Sequence, residues 1–327
     1  MLADRRFDFR RYRPGDEEAI LDLFARSFGA SRTLDHWRWK YQQNPFGNEH
    51  ISLAWDADCL VAQYAAYSIP FWRNGAEMFA HHIADIMTDR SVRHVGRGSS
   101  SVFARTALHF YENFCEGKVA FNYGFNTATS REFSIRFTRA EAVEPVTYRV
   151  RENVHRLSRL RRWLSGYTVE PLRDVGPEYD AFFRRVAPAY GFVVERSSTY
   201  MRWRYLQSAE PGYFVVAIRK RGRLAGWSAF RLRDETLLWG DALFDPAASD
   251  APEILLRHVA LRYAATRVEG WFSRRPAWFD AILQRLGFVV MDEPNDLSLS
   301  CVPFTFTDAI SAMRTSLYYT MGDSDLF

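Results

Sequence analysis

An internal repeat constrains the fold of this chain more than any other feature of its sequence. Residues 36–43 read HWRWKYQQ and residues 200–207 read YMRWRYLQ, and four residue pairs match at a constant offset of 164: Arg38/Arg202, Trp39/Trp203, Tyr41/Tyr205 and Gln43/Gln207. Each motif follows a short strand-like run and an acidic helix start, and precedes a Pro/Gly turn and two strand-like runs rich in β-branched and aromatic residues. A matched order of elements at this spacing indicates a duplication, so the sequence predicts two copies of one α/β domain.

The length and the segment between the copies set the expected domain boundaries. A chain of 327 residues is long for one core and suits two. We predict a first domain over 1–150, a linker over 151–166 and a second domain over 167–327. The linker sequence RENVHRLSRLRRWL has apolar residues at helical spacing with arginines between them. This pattern predicts an amphipathic helix whose arginines either are solvated or face a membrane surface or an acidic partner.

Composition narrows the class of protein. The net charge is only +4 and the arginines are scattered, which argues against a nucleic-acid-binding surface. No apolar run is long enough to span a membrane and the N-terminal residues do not resemble a signal peptide, so we expect a cytoplasmic protein. Three widely spaced cysteines without a CxxC motif predict neither a disulfide framework nor a metal site.

A glycine-containing turn in the first half is the strongest local motif. The stretch DIMTDRSVRHVGRGSSSVFARTA, residues 85–107, joins an apolar strand expected over 77–88 to a helix expected from about residue 98 to 114. Gly96 and Gly98 carry no side chains, so successive backbone N–H groups can point into one concavity at a helix start, where a phosphate would bind. The alternative is a tight strand-to-helix corner without a ligand. A strand over 119–126, a helix near 130–137 and a strand over 146–150 are expected to follow.

This turn resembles the R-x-x-G-x-G signature of the GNAT acyltransferase superfamily. The motif follows an apolar strand end and precedes a helix and a strand that ends in Asn126, in the GNAT order. The resemblance implies that acetyl-CoA or another short acyl-CoA is a co-substrate, bound without a metal, with its thioester where two parallel strands splay apart. It assigns CoA binding to these residues: Ile86, Met87, Thr88, Arg93, His94, Val95, Gly96, Arg97, Gly98, Ser99 and Asn126. The implied fold class is α/β of the α+β type, with two tandem GNAT-like domains, each a mixed, mostly antiparallel twisted sheet flanked by helices.

The resemblance also directs attention to three candidate catalytic residues. GNAT members with a glutamate base carry it eleven positions before the signature, where this chain has His82, which either accepts the proton of the attacking amine or is a half-buried structural residue. If the strand is regular, Asp85 lies on the opposite face and is a weaker candidate for orienting an ammonium. The usual acid, a tyrosine seven residues after the asparagine, is replaced by Phe133. Either Tyr123 protonates the departing thiolate or CoA leaves as the anion; a packing role for Tyr123 is the alternative.

Aromatic residues and the C-terminal residues are candidates for acceptor binding. Trp37 and Trp72, with Trp39 and Phe71, either line a groove on which sugar or nucleotide rings stack or belong to the core. The segment YYTMGDSDLF, residues 318–327, is apolar enough to dock across the interface of the two domains. Asp323 or Asp325 would then face the acceptor pocket; plain surface exposure is the alternative.

The second copy departs from the signature. Its corresponding segment, DALFDPAASDAPEILLRHVA, contains no glycine and two prolines, which predicts a degenerate copy with an acceptor or structural role. The favoured function is a CoA-dependent N-acyltransferase acting on a small amine. The combination of WRWKYQQNPFG, YGFN and YYTMGDSD resembles tandem GNAT proteins of bacterial polysaccharide and modified-sugar clusters, which implies an amino sugar or a nucleotide-linked amino sugar. The alternatives are a non-catalytic acyl-CoA-binding pseudo-enzyme or sensor, and an aminoacyl-tRNA-dependent peptide-bridge transferase.

Overall fold

The computed structural model describes residues 6–96, 98–154 and 166–327. Arg97 and most of the predicted linker helix, residues 155–165, lie outside the described residues. The chain divides into two compact units. Unit 1 comprises the chain up to Pro70, Met78–Glu144 and Leu297–Ser311; unit 2 comprises Phe71–Glu77, Pro145–Asp296 and Ala312–Phe327.

The described residues form these strands, in chain order: β1 (Asp8–Arg11), β2 (His50–Asp56), β3 (Cys59–Arg73), β4 (Ala76–Thr88), β5 (Phe121–Asn126), β6 (Glu141–Pro145), β7 (Tyr148–Glu152), β8 (Tyr167–Leu172), β9 (Phe192–Val194), β10 (Phe214–Lys220), β11 (Arg223–Arg233), β12 (Thr236–Phe244), β13 (Arg267–Trp271), β14 (Val289–Met291), β15 (Ser298–Pro303) and β16 (Leu317–Tyr318). They form these α-helices: α1 (Glu17–Phe28), α2 (Leu34–Tyr41), α3 (Val102–Phe110), α4 (Ala128–Phe137), α5 (Pro177–Val186), α6 (Ser198–Met201), α7 (Ala251–Arg262), α8 (Ala277–Arg285) and α9 (Ala309–Ser316).

The sheet of unit 1 has the strand order β1-β2-β3-β4-β5-β15-β6. β4 and β5 are parallel, whereas β1 pairs with β2, β2 with β3, and β5 with β15 in antiparallel fashion. One hydrophobic cluster joins β2–β4 to residues of α1 and α2, and a second joins the sheet to α3. Thr33 and Ser101 supply the side-chain N-caps of α2 and α3.

The sheet of unit 2 repeats this arrangement with the order β14-β7-β13-β12-β11-β10-β8. Its parallel pair is β12 with β13, and its other pairs are antiparallel. The predicted fold class is therefore confirmed: both sheets are mixed and mostly antiparallel, and helices flank them.

The two halves of the sequence exchange one strand each. β15 lies near the end of the chain but pairs with β5 of unit 1, from Ser298 opposite Asn126 to Pro303 opposite Phe121. β7 precedes the linker in sequence but pairs with β13 and β14 of unit 2. A cut at residue 150 thus separates each of these strands from its own sheet. The linker helix expected from residue 151 is wrong at its start, because residues 151–152 belong to β7 and pair with β13.

Candidate active site in unit 1

The parallel strands β4 and β5 separate soon after they meet. They pair only at His81 opposite Asn122 and His82 opposite Tyr123. A cleft lies where the strands separate, and residues of β4, β5, α4 and β15 line it. Its lining includes Ile83, Ile86, Gly124, Asn126, Ser134 and Ser300. The predicted splay between two parallel strands is therefore present in unit 1.

The glycine-containing loop connects the end of β4 to α3. Gly96 and Gly98 have φ values of 75° and 60°, in the left-handed region that favours glycine. A Cβ at Gly96 would collide with the backbone oxygen of Ser100, whereas a Cβ at Gly98 would meet nothing closer than a ring carbon of Phe137 at 4.0 Å. The loop thus needs a glycine at residue 96 for its own packing and leaves open space at residue 98.

The residues around these glycines are held by local contacts. Arg93 Nε donates to the backbone oxygen of Thr88 at 3.0 Å, and Val95 packs against the cluster that includes Val92 and Val102. His94 and Ser99 are exposed. The loop backbone is therefore anchored at its apolar side chains while its polar residues face solvent, which fits a surface that receives an anion.

At the end of β4 the side chains alternate between two surroundings. Ile86 lines the cleft, whereas Met87 is buried in the cluster of α1 and α2. Any contact of Met87 with a ligand would therefore involve its backbone. Asn126 lines the cleft at the end of β5, where it pairs with Ser298 of β15.

His82 and Tyr123, the predicted base and the predicted acid, lie side by side. Their ring centroids are 4.9 Å apart and their planes are nearly perpendicular. His82 also lies 4.8 Å from the ring of Tyr67, and its side chain is only 1% exposed. The structure thus brings the two candidates together at the last paired position before the strands separate.

His81 has a different environment from its neighbour. Because adjacent residues of a strand point to opposite faces, His81 packs against α3, near Phe110 and Cys115. Burial, and then the neighbouring His50, lower the pKa of His81 to about 3, so its imidazole is neutral at physiological pH. Burial raises the pKa of Cys115 to about 12, which leaves a thiol rather than a nucleophilic thiolate.

The Asp85 side chain does not point to the predicted face of β4, and its carboxylate is already paired with other side chains. Its φ of 51° interrupts the regular strand, so the expected alternation does not hold and its carboxylate faces α2. There it accepts a 2.6 Å hydrogen bond from Tyr41 Oη and forms ion pairs with Lys40, at 3.2 Å, and with Arg32. Although burial opposes ionisation, these cations hold the pKa of Asp85 below its usual range. Asp85 therefore anchors α2 to β4 and does not orient a substrate ammonium.

Unit 2 repeats this anchor at the offset seen in the sequence. Arg196 Nε contacts Asp241 Oδ1 at 2.8 Å, and Tyr205 Oη donates to Asp241 Oδ2 at 2.7 Å. Arg196 and Tyr205 lie 164 residues after their counterparts in unit 1. The duplication is thus visible in a buried polar network as well as in the order of elements.

The tail packs within unit 2, where Asp323 is buried and does not face an acceptor pocket. Arg196 Nη2 contacts both Asp323 oxygens, at 3.0 and 2.8 Å, and the Thr320 N–H donates to the same carboxylate at 2.8 Å. All three residues lie in unit 2 and are buried. Burial raises the pKa of Asp323 to about 6, although Arg196 opposes the shift. Asp325 is exposed. Asp323 therefore holds the tail in place.

Trp37 does not line a groove. It is 1% exposed and packs between Tyr12 and Tyr41 in the core of unit 1. Trp72 is half-buried at the end of β3, where it pairs with Val193 of β9 within unit 2. Trp37 therefore stabilises the fold, which is the alternative that the sequence left open.

The position of the missing tyrosine is also resolved. Phe133 lies on α4 and is 52% exposed, with ring contacts to Phe103 and Phe137. The next residue, Ser134, is buried and lines the cleft. Ser134 and Ser300 were not predicted as cleft residues. The helical periodicity of α4 could have indicated Ser134, whereas nothing local in the sequence around Ser300 indicates that β15 joins unit 1.

In the described part of unit 2, the counterpart of the loop is shorter and the end of the parallel pair is filled. Only residues 245–250 connect β12 to α7, compared with residues 89–101 between β4 and α3. The β12–β13 pairing ends at Leu238 opposite Glu269, the counterparts of His82 and Tyr123. The next residue of β12, Trp239, is fully buried. Its ring contacts five aromatic rings: Phe230, Phe244, Phe272, Phe279 and Phe288.

Two further properties concern the described part of the chain. No helix there combines the length and apolar character that crossing a bilayer requires. No group of three or more histidine, cysteine, aspartate or glutamate side chains is arranged there to hold a metal ion.

Comparison with known proteins identifies the fold. Residues 8–135 match the family model described as an acetyltransferase (GNAT) domain. A probable N-acyltransferase from Enterococcus faecalis V583, a conserved protein of unknown function, superposes with a TM-score of 0.68 at 11% identity, over 92% of this chain and 73% of that one. A GCN5-related N-acetyltransferase from Anabaena variabilis gives 0.65 at 12% identity, over 90% and 72%.

A third structure extends the same likeness. A GCN5-related N-acetyltransferase from Kribbella flavida gives a TM-score of 0.64 at 14% identity, over 94% of this chain and 73% of that one. A search of curated proteins finds no match. The GNAT domain match over residues 8–135, the splayed parallel strands and the glycine-containing loop agree, so residues 8–135 resemble an acetyltransferase (GNAT) domain, and the solved structures share the fold of most of the chain.

Proposed function

We propose that unit 1 is a CoA-dependent N-acyltransferase that transfers an acetyl or other short acyl group to a small amine. The observation that carries the proposal is the cleft where β4 and β5 separate, which Tyr123, the contact partner of His82, lines together with Ile86 near the end of β4. Unit 2 has a shorter loop, and the buried Trp239 follows its last paired position. One acyl-CoA site per chain follows from this difference.

The loop and the strand end would hold the co-substrate. Backbone N–H groups around Gly96 and Gly98, with the start of α3, supply partial positive charge for the pyrophosphate. The open space at Gly98 permits close approach of a phosphate to the backbone. The separated edges of β4 and β5 leave backbone groups for the amides of the pantetheine arm.

His82 and Tyr123 would act on the reacting groups. His82 accepts the proton that the amine nitrogen releases as it forms its bond to the thioester carbon, directly or through one water. The electron pair of the broken carbon–sulfur bond stays on the CoA sulfur. Tyr123 contacts His82 and lines the cleft, so it either protonates the sulfur or orients the imidazole.

The acceptor class rests on the resemblance to tandem GNAT proteins of bacterial polysaccharide and modified-sugar clusters, which makes an amino sugar or nucleotide-linked amino sugar the first choice. The exposed Phe133 in place of the usual tyrosine favours a second candidate, a protein that binds acyl-CoA without turnover. A single measurement distinguishes the N-acyltransferase from the non-catalytic acyl-CoA-binding protein.

A thiol-release assay with acetyl-CoA and a panel of amines, including free and nucleotide-linked amino sugars, tests the proposal. The enzyme releases CoA only when an accepted amine is present, and the acylated amine forms in equal amount. CoA binding without thiol release across the whole panel would favour the non-catalytic protein. No CoA binding at all would overturn both candidates.

A further inference from the structure

Strand exchange places a serine from the second half of the sequence in the cleft of unit 1. Ser300 lies on β15, and its Cα is paired with that of Gly124 on β5. Directly opposed residues of antiparallel strands share a face, so Ser300 faces the same side as Gly124 and lines the cleft. Both residues belong to unit 1.

The hydroxyl of Ser300 is unusual because it is buried without a hydrogen bond from the described residues. The residue is only 3% exposed, and among the described residues its Oγ has no hydrogen-bond partner. Buried hydroxyl groups are normally hydrogen-bonded, because desolvation without a partner costs free energy. An unpartnered hydroxyl at the wall of a cleft is therefore suited to a ligand that enters the cleft.

The register places this hydroxyl at a defined level of the cleft. The last pair of β4 and β5 is His82 with Tyr123, and Gly124 is the next residue along β5. Ser300 therefore stands about one residue, roughly 3.3 Å along the strand, beyond the point where the strands separate. In the proposed function this is where the thioester lies.

We propose that the Ser300 hydroxyl donates a hydrogen bond to the sulfur of the departing CoA thiolate. This inference rests on the proposed function. The amine nitrogen bonds to the acyl carbon and its proton passes to His82, while the carbon–sulfur bond breaks and its electron pair stays on sulfur. Ser300 keeps its proton and stabilises the anion, and the thiolate later takes a proton from water. Phe133 cannot donate to the sulfur, so this role is open to another hydroxyl group.

The first experiment measures turnover and thiolate formation in wild-type protein and in Ser300→Ala. A hydrogen bond to an anion predicts a loss in kcat on the order of ten- to a hundredfold, with CoA affinity at neutral pH nearly unchanged. The bound CoA thiol, followed through the ultraviolet absorbance of its thiolate, should ionise about one pH unit higher in the variant than in wild-type protein.

Ser228→Ala is the matched control. Ser228 is also buried with no hydrogen-bond partner for its Oγ among the described residues, but it lies on β11 of unit 2. Its variant should match wild-type protein in turnover and in thiolate formation.

Two results overturn the assignment of Ser300. One is an unchanged kcat and unchanged ionisation in Ser300→Ala when wild-type protein is active. The other needs no variant: CoA bound to wild-type protein ionises at the same pH as free CoA. If wild-type protein binds no CoA, the proposed function fails first and takes this inference with it.

Discussion

Tyr41 Oη donates a 2.6 Å hydrogen bond to Asp85 Oδ2, and Tyr205 makes the equivalent 2.7 Å bond to Asp241. In each unit the bond ties a short helix to the first strand of the parallel pair. The same buried carboxylate also faces an arginine in each unit. The repeat in the sequence therefore preserves a structural anchor, which both units keep although the described loop after β12 is shorter than the loop after β4 and Trp239 fills the corresponding strand end.

Removal of the anchor carboxylate in unit 1 should strongly destabilise the fold. Asp85→Ala leaves Arg32 and Lys40 buried without the carboxylate between them, and breaking a buried ion pair costs about 3–5 kcal/mol. Urea unfolding measures this free energy. Asp35→Ala is the control, since Asp35 lies on the surface 3.8 Å from Arg38 and should cost less than about 1 kcal/mol. Equal unfolding free energies for the two variants would contradict the anchor.

Replacement of the proposed base should affect turnover more than binding. His82→Phe keeps an aromatic ring among Tyr67, Tyr123 and Phe125 but removes the proton acceptor. We expect kcat at neutral pH to fall on the order of a hundredfold or more, with CoA affinity nearly unchanged. Steady-state kinetics and calorimetry on the same preparations give the two quantities. A variant with wild-type turnover would return His82 to a structural role.

The two tail aspartates should differ in their effect on stability. Asp323→Ala removes a carboxylate that contacts Arg196 twice in a buried site, so we expect a loss of about 3–5 kcal/mol from the unfolding free energy. Asp325→Ala is the matched control at an exposed position and should have a much smaller effect. Thermal and urea unfolding compare them. If Asp323→Ala raised the Michaelis constant for the amine and left stability unchanged, the acceptor role predicted from sequence would be correct after all.

A carboxylate pair in unit 2 should make stability depend on pH. Burial, and then the neighbouring Glu77, raise the pKa of Glu195 from 4.5 to about 7. The folded state therefore binds the Glu195 proton more tightly than the unfolded state does. The contribution of this proton to the free energy of unfolding is present below pH 4.5 and is lost as the pH rises to about 7. Between these values wild-type protein should lose stability relative to Glu195→Gln, as measured by urea unfolding. Parallel stability curves would exclude the pair as the cause.

The sequence predicted the parts of the fold that local patterns encode. Strand β4, the glycine-containing loop and strand β5 lie close to their expected positions because alternation, glycine and apolar runs mark them directly. Asp85 was placed on the wrong face because a single residue with positive φ interrupts β4, and no local pattern indicated it. Trp37 could not be assigned because an aromatic residue in a core and one in a groove have the same local pattern.

Long-range pairing was beyond local patterns. The exchange of β7 and β15 depends on which sheet edge each strand meets, so neither Ser300 nor the unit boundaries followed from the sequence. Asp323 was expected to face the acceptor pocket from a tail docked across the domain interface, but it is buried against Arg196 within unit 2. Its partner Arg196 precedes the repeated motif, at the 164-residue offset from Arg32, and that offset was the available signal.

The asymmetry between the units is the central claim, and titration of CoA into the protein by calorimetry tests it most directly. We predict one CoA per chain. In unit 2 the buried Trp239 follows the last paired position of β12. Ile83→Trp places the same residue type at the corresponding position in the cleft of unit 1 and should abolish CoA binding. Val289→Ala, on the exposed strand β14, should leave CoA binding unchanged. Two equal CoA sites per chain, or one site that survives Ile83→Trp, would contradict the account.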